Sequence, residues 1–173
     1  MFTGHFAAAL VIKPQAPEAP SWALFAGTAV LDFLWAPFTL LGWEIWKKGN
    51  IQIAWSHSLV MALVWSLAYA LLFLRRGRTV MIALGVAVFS HFVLDYLVHE
   101  PHLTLYPGSY VRFGVGLGQA PWGPGWMLEL GVIVVASAYY LYRSRSDIRY
   151  GRNPVALCGT LVGLHILRGV LGM

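Results

Sequence analysis

The sequence predicts an all-α fold: a polytopic integral membrane helical bundle with about five transmembrane helices plus an N-terminal half-helix. Three observations predict it. Of 173 residues, 58% are hydrophobic and only 11% charged, where a soluble domain carries about 25% charged residues. Five apolar runs are each long enough to cross a bilayer. Eight Trp, eight Tyr and nine Phe supply the aromatic side chains that anchor helices at membrane surfaces. Mean hydropathy is +0.66. Such a composition excludes a disordered chain, which is polar and poor in aromatics.

The elements follow in order. Residues 2–12 form a short apolar stretch, read as a half-helix buried against the bundle. Residues 1–6 carry no positive charge, so this stretch is expected in the mature protein and not as a signal peptide. Pro14, Pro17 and Pro20 break the chain before the first full span. The five spans are residues 22–41, 54–74, 79–98, 126–142 and 155–171. Crossing a hydrocarbon core takes about 20 residues, and each span must be helical because lipid cannot satisfy an open backbone. The chain reads as one transmembrane domain over residues 1–173, without repeats.

Basic residues set the orientation. Lys13, the group Arg75, Arg76 and Arg78, and the group Arg143, Arg145, Arg149 and Arg152 fall on one side. Lys47, Lys48, Arg112 and Arg168 fall on the other. The richer side is cytoplasmic by the positive-inside rule, so the Gly- and Pro-rich loop 99–125 faces outward. A connection of that length without its own structure is usually functional or mobile. The net charge of +5 is spread between apolar runs. A nucleic-acid site needs its bases gathered on one face, so none is expected. Membrane lipid is the expected partner, and other membrane-protein subunits are a second one. Cys158 is the single cysteine. It permits no internal disulfide and is read as a core residue.

The informative residues are those that do not belong in lipid: Asp32, His57, His91, Asp95, Glu129 and His165, with His5 in the half-helix. A charge near the bilayer centre costs at least about 2.5–3.5 kcal/mol, so these groups must face each other, water or a cation. His91 and Asp95 stand four apart and share a helix face. His99 extends that line, and His102 follows Pro101. Counting about 1.5 Å per residue along straight helices spreads the set over the middle and outer membrane, so one ion does not reach all of it. Tilt or two adjacent metals are open alternatives. Imidazole with carboxylate suits Zn, Fe or Mn. A bound metal would make water a nucleophile near neutral pH, and a free carboxylate could serve as base.

Each residue also has a structural role open to it. His91 and Asp95 could fasten two helices through a hydrogen bond. His57, between Ser56 and Ser58, could sit at a capped helix start. Glu129 could stabilise a helix N-terminus. His165 reads as a packing residue, and Glu44, between Trp43 and Trp46, as interfacial. His99 and His102 read as solvated loop residues or substrate contacts. Gly114, Gly116 and Gly118 alternate without the Lys-Ser/Thr of a phosphate loop.

Several stretches together resemble a known family. They are Gly4-His5, Leu31-Asp32-Phe33-Leu34-Trp35, Leu41-Gly42-Trp43-Glu44, Ser56-His57-Ser58-Leu59 and Ser90-His91-Phe92-Val93-Leu94-Asp95, then His99-Glu100-Pro101, Gly116-Leu117-Gly118 and Leu128-Glu129-Leu130. In order and spacing they resemble a family of bacterial inner-membrane proteins. That family is similar to the membrane-bound metal-dependent hydrolases of the LexA-binding, inner-membrane-associated type. The resemblance implies the bacterial inner (cytoplasmic) membrane and a helical metal site like that of zinc-dependent phospholipase C. Its ligands would be His5, Asp32, His57, His91 and Asp95. Glu129 would be a ligand or base, and Glu129 and Asp95 are the candidate catalytic carboxylates. The chain departs from the hydrolase pattern at Gln52, where that group has a histidine, and in having Asp32 alone where that group tends to pair aspartates. It departs from the closer family at His102, where an acid is common.

Three functions follow as expectations. The first is a metal-dependent hydrolase of a phosphoester or lipid-linked substrate. Its cofactor would be a divalent metal, zinc first with Mn or Fe behind it, and His99, His102 and Arg112 would contact substrate. The second is a non-catalytic accessory subunit of a larger membrane complex, packing through its glycine-rich last helix. The third is proton or metal transport, or haem binding.

Overall fold

The computed structural model describes residues 3–47, 50–118, 120–145 and 153–172. Among these residues are eight α-helices: α1 (Thr3–Ile12), α2 (Ser21–Gly27), α3 (Val30–Leu40), α4 (Ala54–His57), α5 (Leu59–Leu71), α6 (Arg78–Val98), α7 (Pro124–Ser144) and α8 (Pro154–Val170). Two antiparallel hairpins stand where the all-α reading had loops. They are β1 (Ile45–Lys47) with β2 (Asn50–Gln52), and β3 (Leu103–Thr104) with β4 (Arg112–Phe113).

The five expected spans are not all continuous. Among the described residues, α6 and α7 are long and apolar enough to cross a membrane, and α2 with α3 forms a third candidate bent by 48° at its break. α5 has 13 residues and α8 has 17, or about 20 and 25 Å at the helical rise, against a core of about 30 Å. The expected span 54–74 is interrupted at Ser58, whose extended backbone starts α5 and whose hydroxyl accepts from the Met61 N–H. The orientation residues Lys48, Arg149 and Arg152 lie outside the described residues. Lys13 is buried instead of flanking: its Nζ donates to the carbonyls of Pro17 and Ala19 at 2.8 and 2.7 Å.

α6 is the central element. Val80, Ala83, Leu84, Ala87, Val88, His91, Phe92, Asp95 and Val98 are buried on it, a spacing of three and four that makes one continuous stripe. α5 offers α6 small side chains, Ala62, Ser66 and Ala70. Gly85 sits opposite, with space for a Cβ only at 3.4–3.5 Å from Ser66 and Ala70. Small residues four apart let two backbones approach closely, which is how helices associate in lipid. α1 is the expected buried half-helix and packs against α6 and α7. Ile133, Ala136 and Tyr140 of α7 meet Cys158 and Leu161 of α8, so Cys158 is a core residue.

The loop after α6 is ordered by the helix it follows. The N–H groups of Val115, Gly116, Leu117 and Gly118 donate to the carbonyls of Tyr96, His99, Leu97 and Val98. A helix end leaves such carbonyls without intrahelical partners, and here one extended segment takes them all. Gly114, Gly116 and Gly118 have φ of 148°, 78° and 76°, a region costly for other residues. These glycines cap α6; their alternation has nothing to do with a phosphate loop.

Candidate functional site

The breaks in the first two expected spans are where the polar residues gather. α2 ends at Gly27 and α3 restarts at Val30, which puts Asp32 in the first turn of α3. His57 is the last residue of α4, just before the extended Ser58. His91 and Asp95 lie on the buried stripe of α6, and His5 lies on the buried face of α1.

Four helices thereby bring five side chains to one point. Asp32 Oδ1 is 3.5 Å from both His57 Nε2 and His91 Nε2. Asp95 Oδ2 is 3.3 Å from His91 Nε2 and 3.6 Å from His57 Nε2. Asp95 Oδ1 is 3.2 Å from His5 Nε2 and 3.6 Å from His99 Nε2. The rings of His5 and His91 stack at 3.7 Å with an angle of 4°, and His57 meets His91 edge-on. The expectation that the set would spread over several depths is corrected. A rise of 1.5 Å per residue holds only along an unbroken helix, and both α2–α3 and α4–α5 are broken.

Hydrogen bonds fix which nitrogen faces the centre. His91 Nδ1 lies 2.7 Å from the carbonyl of Thr28, at the α2–α3 break. A carbonyl only accepts, so Nδ1 carries a proton and Nε2 is the nitrogen left to face the two carboxylates. That Nε2 is buried without a hydrogen-bond partner among the described residues. His57 Nδ1 is 2.6 Å from Ser56 Oγ. Ser56 in turn donates its hydroxyl and its N–H to the carboxylate of Glu44, at 2.6–2.9 Å. The Ser56 proton is thus committed to Glu44, so Ser56 Oγ accepts from His57 and turns its Nε2 inward as well. Glu44 is buried, not interfacial, and burial pushes its carboxyl above the usual range. Thr28, Ser56 and Glu44 are the residues that sequence reasoning missed in this role. Ser56 beside His57 and Glu44 in its Trp-rich stretch were visible, but nothing in their spacing linked them.

The other expected site residues divide. His99 joins the cluster through Asp95 Oδ1. His102 does not, and stands 3.6 Å from the exposed Glu100. Arg112 is exposed on β4. Glu129 belongs to a second network. Its Oε1 accepts from the Gly4 N–H at 2.7 Å and from the Thr3 hydroxyl at 2.9 Å, and Arg168 reaches Oε2 at 3.3 Å. His165 completes that network, with Nδ1 3.0 Å from the Thr3 hydroxyl and Nε2 3.1 Å from the Trp126 carbonyl. Glu129 therefore holds the first turn of α1, where the free N–H groups of a helix favour an anion. Its bonds place it at that turn, apart from the contacts of the His–Asp cluster.

Among the described residues, two groups have the spacing to hold a metal ion, His5–His91–Asp95 and Asp32–His57–His91. The cluster is closed except at Asp32, whose side chain is 51% exposed while those of His57, His91 and Asp95 are 5% exposed or less. That opening lies on a helix whose Phe33 and Leu40 are also exposed. Apolar side chains of this kind cover much of the surface, as a protein embedded in lipid requires.

No curated protein and no solved structure matches the chain. A family match does cover it, with apolar helices long enough to span and buried histidines and acids inside them. From residue 2 to residue 168 the chain belongs to the YdjM inner membrane protein family, and its place is the inner membrane.

Proposed function

We propose that the chain is a metal-dependent hydrolase of the inner membrane, acting on a phosphoester or lipid-linked substrate. The observation that carries this reading is His91 Nε2, buried without a hydrogen bond among the described residues and directed between the carboxylates of Asp32 and Asp95. Two carboxylates and imidazole nitrogens gathered in a dry interior need positive charge among them, which a cation would supply. The spacing fits one. Ligands about 2.0–2.1 Å from zinc stand about 3.3–3.4 Å apart, and a catalytic site uses three of them and keeps the fourth position for water. Asp32, His57 and His91 form such a trio, with Asp32 Oδ1 3.5 Å from both Nε2 atoms, and Asp95 Oδ2 lies 3.3–3.6 Å from the same two nitrogens. The Thr28 carbonyl and the Ser56–Glu44 pair are the outer partners that ligating histidines use to fix their tautomer.

A divalent cation bound there would supply Lewis acidity and a more acidic water. The chain's own groups do the rest. Asp32, half-exposed at the mouth, would serve as the group that takes a proton from an attacking water and returns it to the leaving oxygen. Water adds across the ester bond: its oxygen goes to phosphorus and one proton to the departing alcohol. The exposed Phe33 and Leu40 on the helix of Asp32 favour an amphipathic substrate that approaches through the membrane, headgroup first.

The test is elemental analysis of the full chain purified in detergent, beside a His91→Ala/Asp95→Ala variant, followed by phosphoester hydrolysis in mixed micelles. Bound zinc, manganese or iron that the variant loses together with turnover is the expected result. Metal-free fresh protein, indifferent to the substitutions, would overturn the reading.

A further inference from the structure

α1 stands between two full-length spans. It packs against α6 on one side and α7 on the other, and among the described residues α6 and α7 have no comparable packing on each other. α1 has 10 residues where α6 and α7 have 21 each, and it fills only one side of the gap. The other side is left as a groove of about 350 Å³, floored by Ala8 and Val11 of α1 and walled by Phe89 and Val93 of α6 and Val132 of α7. A second cavity, about 390 Å³, continues it past Ile12 and Ile82 and shares Val11 and Val86 with the first. A third, about 260 Å³, takes over at Ala16 and Thr79 and ends among Glu18, Arg76 and Arg78. Val11, Ile82, Val86 and Val93 are exposed along this seam. The polar side chains that line it are engaged within the protein: Ser90 donates to the Ala87 carbonyl and the Gln15 amide to the Tyr139 hydroxyl. The groove is thus apolar along its length and charged at one end. At that end Arg76 and Arg78 are exposed, and the buried Lys13 ammonium lies under the same turn, held by the carbonyls of Pro17 and Ala19. Glu18 is the acid in that lining, so the mouth is net positive.

We propose that this groove holds one anionic glycerophospholipid, with its phosphodiester on Arg76 and Arg78 and an acyl chain along the seam of α1 and α6. The length fits. From Thr79 to Leu94 α6 rises about 22 Å, more than the depth of one leaflet, which is about half of a 30 Å core. The charge fits as well. Guanidinium groups take phosphate oxygens in a planar fork, whereas a zwitterionic headgroup brings its own ammonium to the same two cations. The basic end is the one that the positive-inside rule places in the cytoplasm, and basic pockets between spans on that side bind anionic headgroups. The lipid completes the packing of α1, whose far side carries His5 into the His–Asp cluster. It is separate from the opening at Asp32, which lies on α3, and it does not rest on the metal reading above.

The experiment titrates the full chain, purified in detergent, with phosphatidylglycerol or phosphatidylcholine and counts bound lipid by native mass spectrometry. A phosphatidylglycerol with a photoreactive group on its acyl chain then maps the contact. One retained phosphatidylglycerol per chain is expected, bound at least about fivefold more tightly than phosphatidylcholine, with cross-links concentrated on α1 and on α6 from Ile82 to Leu94. Arg76→Gln/Arg78→Gln should abolish the preference and leave the metal content as in the wild type. Val11→Trp, a filling substitution at an exposed position, should remove the retained lipid and its cross-links, and Ala8→Phe serves if that variant fails to fold. Inorganic phosphate alone should not displace the lipid. Cross-links spread equally over the exposed faces of α5 and α8 overturn the site and leave only the lipid that surrounds any membrane protein. Equal affinity for the two lipids, or a preference that survives the loss of both arginines, overturns the anionic assignment. Complete displacement by inorganic phosphate overturns the acyl-chain half of the proposal.

Discussion

Ser56→Ala tests the outer support of the site without touching a proposed ligand. Ser56 Oγ accepts from His57 Nδ1 at 2.6 Å and donates to Glu44 at 2.8 Å. Alanine keeps the backbone N–H bond to Glu44 at 2.6 Å, so the turn at α4 should survive. Two things are lost: a hydrogen bond to a buried carboxylate, about 1.5–3 kcal/mol, and the partner of the His57 Nδ1 donor, about 1–3 kcal/mol. Relaxation of His57 relieves part of this, and a stability loss of about 2–4 kcal/mol is expected. With its ring free to turn, His57 should bind metal more weakly by about 10- to 100-fold, the usual cost of removing such an outer partner. Competition with a chromophoric chelator measures the affinity, and thermal unfolding in detergent measures the stability. Unchanged metal affinity in a folded Ser56→Ala protein would refute the claim that the Glu44–Ser56 pair sets the orientation of His57.

Three further outcomes follow from the same geometry. Glu129→Ala should destabilise the protein by about 3–5 kcal/mol, because it leaves Arg168 and the first turn of α1 without their anion; a variant of unchanged melting temperature that had lost only turnover would instead make Glu129 part of the chemistry. Gly114→Ala should unfold the capping segment. A Cβ there would collide with the carbonyls of His99 and Glu100 at a φ of 148°, so faster amide exchange at Val115–Gly118 is the readout, and native exchange would contradict it. The third concerns pH. Glu44 has a raised carboxyl pKa in the folded state, so its folded form is favoured below the ordinary carboxylate pKa and that contribution is lost as pH rises through the raised value. The stability of the wild type relative to Glu44→Gln should therefore fall across that window, and a rise would contradict the assignment.

Much of the fold was legible because membrane helices obey a simple rule. An apolar run of sufficient length must be helical in lipid, and α6 and α7 match their expected spans closely. The pairing of His91 with Asp95 was legible for a related reason, since residues four apart share a face of any straight helix. The breaks were not legible. Nothing at Thr28 or Ser58 is a strong helix breaker, and neither site carries a Pro or Gly at the interruption itself beyond Gly27. Tertiary contacts decide there: the Thr28 carbonyl finds His91, and Gly27 packs so closely that a Cβ on it would stand only 3.1–3.2 Å from Tyr69 and Ala87. Glu129 shows the reverse limit. The sequence left it between a chemical role and a helix start, and its partners, Thr3, Gly4, His165 and Arg168, come from both ends of the sequence.

By itself the sequence determined that this is a helical inner-membrane protein with a buried stripe bearing His91 and Asp95. Hydropathy adds up locally and helical periodicity needs no knowledge of neighbours. The resemblance already grouped His5, Asp32 and His57 with that stripe; only the tertiary structure shows how they reach it, that His99 joins them, and that Glu129, His102 and Arg112 stand apart. That convergence depends on two broken helices and on the packing of α1 and α3 against α6, with α4 held on α3. Both are set by contacts between residues far apart in the chain, which no local pattern records.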